Sequence, residues 1–372
     1  RRWDILVPES ARSAYRSGRS DVLGDFGAGL VQVSTNVGRL DLTGDVVPGE
    51  GPVRWSALDA FPSCSSLTWS GEDRGLVDAL AGRPIVDTLS WSAAPSVADL
   101  SGTALSDLRL SGPAIDCVKL PCTLQRLTLD AAGMPQTVVA PDRARFQLTI
   151  DNAGPGLWLP DGLDRVTELD LVCDRTVSVA GLRRLPQLRS LRVRWQNPPG
   201  ELADADTLAA IDQLAVIELI NAYGLRPDTL PHLPNLRDLH VDGLRKATAT
   251  ALKEQHRRSG VRLVLRGAKT DVWLAANLDN PFRDWAEGNI RAATAACKVY
   301  ADALRAIDAA TAVPPLQTLR VMVQRFNALD AKYLIIDTIR REQIADAYAA
   351  LAERAGLSVD EAMEQFDEER DF

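Results

Sequence analysis

Charged side chains recur two residues apart along this sequence, with an apolar residue between them. One such pair is Arg192 and Arg194, and another is Glu168 and Asp170. Because successive side chains of a β-strand point to opposite faces, these pairs predict strands with one charged and one apolar face. The chemistry of the charged face is noncovalent recognition of a partner with complementary charge. The predicted contact residues, here called the strand-face set, are Arg109, Arg126, Asp130, Asp151, Glu168, Asp170, Arg192, Arg194, Glu218, Asp238, His240 and Asp242.

The residues that usually carry catalysis lack the spacing that catalysis needs. The three histidines are His232, His240 and His256, and none has metal-ligand spacing to a second His or Cys. The sequence also has no P-loop, no dinucleotide-binding glycine motif after a strand and no nucleophile elbow. We therefore predict no enzymatic activity, no catalytic or metal-binding residue and no cofactor.

A second group of polar residues, here called the helix set, interrupts an apolar pattern in the C-terminal part. It consists of Asn327, Asp330, Tyr333, Asp337 and Arg341. Their spacing places them on roughly one side of a single helix. Since a buried carboxylate needs a partner, we expect a neighbouring arginine to pair with them. Two interpretations stay open: a salt-bridge network within the domain, or a docking or small-ligand site.

The elements that position the strand-face set are predicted by a repeat of three apolar residues, spaced Leu-x-x-Leu-x-Leu. Residues 124–129 read LQRLTL, residues 188–193 read LRSLRV and residues 236–241 read LRDLHV. A unit with one half-apolar strand cannot bury that face alone, so stacked units are expected to share one continuous core. The first apolar strand position recurs in steps of 19 to 26 residues, at positions 67, 89, 108, 127, 148, 169, 191, 217, 239 and 263.

This pattern resembles the leucine-rich-repeat family over about residues 56–268, with LPxxL pieces similar to those of its short bacterial subclass. The resemblance implies an α/β solenoid with a curved parallel sheet, whose concave face carries the strand-face set and binds protein. Its convex side should be extended or 3₁₀-helical where repeats are short. Helices are expected near residues 203–214 and 246–257. The family's usual Asn or Cys after the strand is mostly replaced, which predicts a less regular solenoid; those positions hold Ala132, Asp174, Gln196, Ala222 and Leu244.

The repeat pattern divides the chain into three predicted regions. Residues 1–55 form an N-terminal cap with degenerate repeats, 56–268 the solenoid and 269–372 a small all-α domain. Within the cap, residues 30–33 and 40–42 are predicted strands.

The all-α domain is predicted to hold four helices. Asn280 followed by Pro281 is typical of a helix start, with the helix running to about Thr311. A second helix is expected to carry apolar residues from 316 to 336, and a third to end near Gly356. Ser358 and Glu361 have capping-box spacing, which predicts a last short helix.

Composition restricts the classes of partner and the cellular compartments that we expect for this protein. The net charge of −8 argues against nucleic acid, because phosphate binding needs a basic face. No apolar run approaches the roughly 20 residues that span a bilayer, and residues 1–4 begin no signal peptide. The five cysteines are odd in number without CxxC spacing, so we expect buried thiols and a cytoplasmic protein. Frequent Ala, Arg and Asp suggest a bacterial source.

Together these features predict an intracellular scaffold or recognition protein that binds a protein or peptide, with no nucleic acid and no membrane partner. An alternative stays open, in which the C-terminal domain is an enzyme or a nucleotide- or small-ligand-binding unit and the repeats select its substrate. The strand-face set could also be polar only because water solvates it.

Overall fold

A computed structural model describes residues 7–8, 21–28, 30–34, 38–43, 47, 49–112, 115–142, 145–287, 289–309 and 313–372. The chain forms two compact units, here called the repeat unit, which ends at Ala268, and the helical unit, Lys269–Phe372. Two sequence-based predictions lie outside the described residues: the absence of a signal peptide at residues 1–4, and the end of a helix near Thr311.

The described strands all lie in the repeat unit. In chain order they are β1 Val7–Pro8, β2 Asp21–Asp25, β3 Leu30–Ser34, β4 Arg39–Asp41, β5 Ser66–Ser70, β6 Thr88–Ser92, β7 Val97–Asp99, β8 Asp107–Ser111, β9 Cys117–Lys119, β10 Arg126–Asp130, β11 Thr137–Val139, β12 Gln147–Ala153, β13 Glu168–Cys173, β14 Thr176–Ser178, β15 Ser190–Trp195, β16 Glu201–Ala203, β17 Val216–Ile220, β18 Asp238–Asp242 and β19 Arg262–Arg266.

Eleven of these strands form one sheet in the order β4-β5-β6-β8-β10-β12-β13-β15-β17-β18-β19. Every neighbouring pair is parallel. Equivalent repeat positions lie side by side, as Leu127 does between Leu108 and Leu148. The predicted leucine-rich-repeat solenoid is thereby confirmed, and its ladder of paired strands shifts once, after Ile150 between β12 and β13.

The core lies on the apolar side of this sheet. Along β10, Leu127 and Leu129 are fully buried while Arg126 is exposed, and most other strands of the main sheet alternate in the same way. The inward residues of all the repeats form one continuous cluster, as stacking of half-apolar units requires.

Three tryptophans fill this core where the sheet begins. Trp69 and Trp91 are register partners on β5 and β6. Trp55 packs edge-on against Trp69, with ring centroids 5.2 Å apart. Each indole N–H donates to a backbone carbonyl, that of Trp69 to Glu72 at 2.9 Å and that of Trp91 to Gly71 at 2.7 Å. The rings are therefore buried without leaving a polar atom unsatisfied.

The segments between the main strands form short elements. Strands β7, β9 and β11 pair in parallel, as do β14 and β16. The helix expected near residues 203–214 is a 3₁₀ helix at Ala205–Ala210. Further 3₁₀ helices are Trp55–Ala60, Ala131–Gly133 and Ala180–Arg184, and the α-helices are α1 Leu76–Ala81 and α2 Lys246–Gln255. The helix expected near residues 246–257 is thus confirmed.

Both strands predicted before residue 55 are present, but they belong to different sheets. β3 pairs antiparallel with β1 and β2, whereas β4 is the first strand of the main sheet.

The helical unit packs its helices around Phe326, whose ring centroid is 5.0 Å from that of Phe282 and 6.1 Å from that of Trp285. Its helices are α3 Asp271–Asn277, a 3₁₀ helix at Arg283–Glu287, α4 Ile290–Asp308, α5 Pro315–Tyr333, α6 Thr338–Arg354 and α7 Val359–Glu369.

The prediction that Asn280 caps a helix beginning at Pro281 is wrong. The helix α4 begins at Ile290, where the Asn289 side chain accepts hydrogen bonds from two backbone N–H groups. Asn280 is buried instead, and its Nδ2 donates to the Cys297 carbonyl at 2.9 Å. Its Oδ1 still accepts from the Phe282 N–H at 3.1 Å, so Asn280 caps a local turn before the 3₁₀ helix at Arg283–Glu287 and not a long α-helix.

The prediction that a single helix carries the whole helix set is also wrong. Leu334 adopts a left-handed conformation with φ of 50° and ends α5. The Asp330 carboxylate then accepts from the backbone N–H groups of Ile335 and Ile336, at 3.0 and 2.8 Å. The predicted last helix with Ser358 as its N-cap is confirmed, since Ser358 Oγ accepts from the N–H of Glu361 at 3.5 Å at the start of α7.

Candidate functional site

The outward residues of the main sheet form a surface, here called the strand face. All twelve members of the strand-face set occupy outward positions, on β8, β10, β12, β13, β15, β17 and β18. Parallel register places four of them in one row across neighbouring strands. That row runs Asp170, Arg192, Glu218, His240.

The centre of the strand face is an ion-pair cluster. Arg192 Nε donates to Glu218 Oε2 at 2.6 Å. Nitrogens of both Arg192 and Arg194 lie 3.8 Å from Asp170 Oδ2. The two arginines therefore share one carboxylate as an ion-pair partner.

Other pairs flank this centre. Arg109 on β8 pairs with Asp151 on β12 at 2.7 Å, although one strand, β10, lies between them in the sheet order. Arg262 on β19 pairs with Asp238 at 2.5 Å. One Arg262 nitrogen also lies 3.5 Å from His240 Nε2.

Two contributors, Arg262 and Asn152, were missed by sequence reasoning. Asp107, another outward residue that strand alternation predicts, pairs with Arg126 at 2.7 Å. Arg262 also occupies an outward position, which the repeat spacing could have identified. Asn152 donates to Asp130 Oδ2 at 3.0 Å. Asn152 has a left-handed φ of 56°, so strand alternation gives no signal for it.

Asp170 is the most buried member of the strand-face set, with 8% of its surface exposed. Its Oδ1 accepts no hydrogen bond from the described residues. Burial raises the pKa of this carboxyl above its ordinary range, against the opposing effect of Arg194 and Arg192. Keeping Asp170 ionised in the folded protein therefore lowers the free energy of unfolding.

We expect Asp170→Asn to raise the urea midpoint of unfolding at pH 7. A folded-state pKa above the unfolded value of about 3.9 means that the contribution of this group to stability is fully present below that value. It is lost as pH rises through the folded-state pKa. The gain from the asparagine should therefore shrink as pH falls, measured by urea titration from pH 7 to 4.

Glu168→Gln, on the same strand and exposed, is the matched control and should shift the midpoint little at any pH. A lower midpoint for Asp170→Asn at pH 7 would show that the two arginines outweigh burial.

The helix set is divided between α5 and the start of α6. Asn327 Nδ2 donates to the Glu369 carbonyl at 2.8 Å, which ties α5 to the end of α7. Asp330 caps the end of α5 as described above, and Asp337 Oδ1 accepts from the N–H of Arg340 at 2.9 Å. The Tyr333 ring lies 5.1 Å from the Lys332 ammonium. Arg341 lies in the first turn of α6, half-buried.

All five cysteines are free thiols, but only three of them are buried, so the expectation for the other two is wrong. Cys117 is half-buried at the start of β9, and Cys122 is exposed after it. Burial raises the pKa of Cys64 and of Cys297 to about 11 and that of Cys173 to about 12.

Among the described residues, no three His, Cys, Asp or Glu side chains converge as metal ligands do. None of the helices described has both the length and the apolar composition that crossing a membrane requires.

No protein-family model matches this chain, and no curated protein matches it. Among solved structures, an internalin from Listeria monocytogenes is similar with 16% sequence identity and a TM-score of 0.26, covering 66% of this chain and 79% of that chain. A chain of the LRIM1/APL1C complex is similar with 15% identity and a TM-score of 0.30, covering 85% of this chain and 80% of that chain. The fold assignment depends on the register of the eleven strands, not on these similarities.

Proposed function

From a leucine-rich-repeat fold that carries charge on its strands, we propose that this protein binds a protein or peptide partner on the strand face, as a recognition or scaffold protein. The observation that carries the proposal is the row in which Asp170, Arg192 and Glu218 alternate in charge across three strands. A fixed charge pattern on a rigid sheet selects a partner by complementarity.

The arginines of the strand face are more exposed than the acids that hold them. The Arg192 side chain is 43% exposed and that of Asp170 11%. The Arg126 side chain is 63% exposed and that of Asp107 25%. A partner approaching the face therefore meets guanidinium groups first, and these bind carboxylates in a fixed fork geometry. Acidic side chains of a protein fit this surface best.

The experiment is affinity capture from a lysate of the native cell, followed by surface plasmon resonance with the purified partner. Reversing Arg192 and Arg194 to Glu should weaken binding at least about tenfold, since hydrogen bonds to charged groups contribute about 1.5–3 kcal/mol each. The matched control reverses Arg183 and Arg258, two exposed arginines outside the main strands, for the same change in net charge.

Because Arg192 contacts a buried carboxylate, Arg192→Gln with Arg194→Gln provides a second variant that introduces no new negative charge. Circular dichroism establishes that each variant folds. Binding that survives both folded variants unchanged would overturn the proposal.

The contacts of the helix set support a structural role for it. Asp330 and Asp337 accept hydrogen bonds from backbone N–H groups at a helix end and a helix start. These bonds favour the scaffold interpretation over the alternative of an enzymatic or ligand-binding helical unit.

We also propose a reducing, cytoplasmic location, which the free thiols support.

A further inference from the structure

A cavity of about 300 Å³ opens in the repeat unit beside the ends of β10 and β12. Its walls are the 3₁₀ helix after β10, at Ala131 and Ala132, Asn152 near the end of β12, and the loop that follows β12 as far as Trp158. Trp158 lines it and is 45% exposed, in contrast to the buried tryptophans of the main sheet. An exposed indole in a concave apolar site is typical of surfaces that bind a partner.

Two glycines, Gly154 and Gly156, line this cavity. A Cβ atom built on Gly154 or on Gly156 would have no neighbour within 4 Å, and neither residue has a positive φ. Glycine is therefore required at these positions neither by the backbone nor by packing. Both positions of the cavity wall therefore have room for a larger residue at the Cβ atom.

The loop that carries the glycines is nonetheless fixed. The Leu157 N–H donates to the Gly154 carbonyl at 3.2 Å, and the Ser178 N–H donates to the same oxygen at 3.4 Å. Leu157 is half-buried and packs against the core of the repeats. The cavity is therefore preformed, which reduces the entropy lost on binding.

A carboxylate lies at the end of β10, next to the mouth of the cavity. Asp130 Oδ1 accepts from the Ala132 N–H at 2.9 Å, and Oδ2 accepts from Asn152 Nδ2 at 3.0 Å. Within the described part of the chain Asp130 has no ion-pair partner, unlike Asp151 on the adjacent strand, which pairs with Arg109. The Asp130 carboxylate is therefore available to a cationic group of a partner.

We propose that this cavity receives one aromatic side chain of the protein partner, with a Lys or Arg beside it in the partner's sequence that pairs with Asp130. The volume is at the lower end of the roughly 300–1,000 Å³ of small-molecule sites, and so fits a single side chain. The aromatic residue stacks on Trp158, and the basic residue reaches the carboxylate at the end of β10. This inference rests on the proposed function, because it names the chemistry of the same partner.

The test uses a random peptide library displayed on phage, selected against the full chain. Selected peptides should contain an aromatic residue with Lys or Arg within about two positions of it, as the distance between neighbouring side chains requires. Gly156→Phe places a large side chain on the cavity wall, where an added Cβ meets nothing within 4 Å, and should weaken the peptides about tenfold or more. Asp130→Asn should weaken them several-fold, with a larger effect at low salt.

The matched control is Gly102→Phe, at another exposed glycine whose added Cβ would meet nothing within 4 Å, and it should leave binding unchanged. Peptides without the aromatic and basic pair, no selected peptide at all, or equal binding to Gly156→Phe would each overturn the inference. So would a neutral oligosaccharide on a glycan array that binds the chain and loses binding in Gly156→Phe.

The two proposals fail separately. Partner binding that is lost on reversal of Arg192 and Arg194 but retained in Gly156→Phe rejects the cavity alone. Binding that is lost in Gly156→Phe but retained on that reversal rejects the charged centre of the strand face alone.

Discussion

Replacing Phe326 by Ala is expected to lower the free energy of unfolding of the helical unit by about 3–5 kcal/mol. Phe326 is fully buried and contacts the rings of Phe282 and Trp285. Its removal loses both the transfer free energy of the ring and the edge-to-face contacts, and it leaves a cavity that rigid helices cannot close. Domains of this size are stable by only about 5–15 kcal/mol.

The measurement is urea unfolding followed by far-ultraviolet circular dichroism. Val321→Ala is the matched control on the same helix, since Val321 is 42% exposed and its truncation should cost no more than about 0.5 kcal/mol. A loss below about 1 kcal/mol for Phe326→Ala would mean that the site collapses around the smaller residue.

Gly162→Ala is expected to destabilise the repeat unit by about 2–5 kcal/mol, for two independent reasons. Gly162 has a φ of 87°, a conformation that residues with a Cβ rarely adopt. The added Cβ would also collide with the carbonyl oxygen of Val138, a backbone atom of β11. That strand cannot move away, because the Val138 N–H donates to the Asp161 carbonyl at 2.8 Å.

Gly156→Ala is the matched control, because Gly156 has no positive φ and an added Cβ there would meet nothing within 4 Å. It should change the urea midpoint little. Equal midpoints for the two variants would show that the turn at residue 162 relaxes without cost.

The main sheet could be predicted from the sequence because its signal is repeated. Leu127, Leu148 and Leu169 are equivalent positions, and an error at one repeat would be visible from its neighbours. The short sheet of β7, β9 and β11 was not predicted, since its strands have three residues each and give no periodicity.

The strand-face set could be predicted for the same reason, because alternation fixes the side of a strand to which each residue points. The cavity, in contrast, could not be predicted from the sequence. It lies where the ladder shifts between β12 and β13 and where Asn152 is left-handed, so the residues that follow leave the alternation. Asp130 was identified as a surface charge, but its position beside an apolar cavity depends on a loop whose path no local pattern encodes.

The helical unit shows where local rules are overridden. Ser358 caps α7 as its spacing predicts. At Leu334 an apolar residue adopts a left-handed conformation that favours Gly or Asn, so an apparently continuous helical pattern conceals a helix end. The carboxylate of Asp330 stabilises that end through contacts that form only after the chain has turned.

The tryptophan cluster at the start of the main sheet gives the repeat unit an optical probe of one of its ends. Trp55, Trp69 and Trp91 are three of the eight tryptophans in the chain. A solenoid whose coils touch only their neighbours can fray from an end while its middle stays ordered. Opening at this end exposes three indoles to water and shifts their emission to longer wavelength, while most of the backbone remains folded. Fluorescence therefore reports on one end of the repeat unit, whereas circular dichroism reports on its whole backbone.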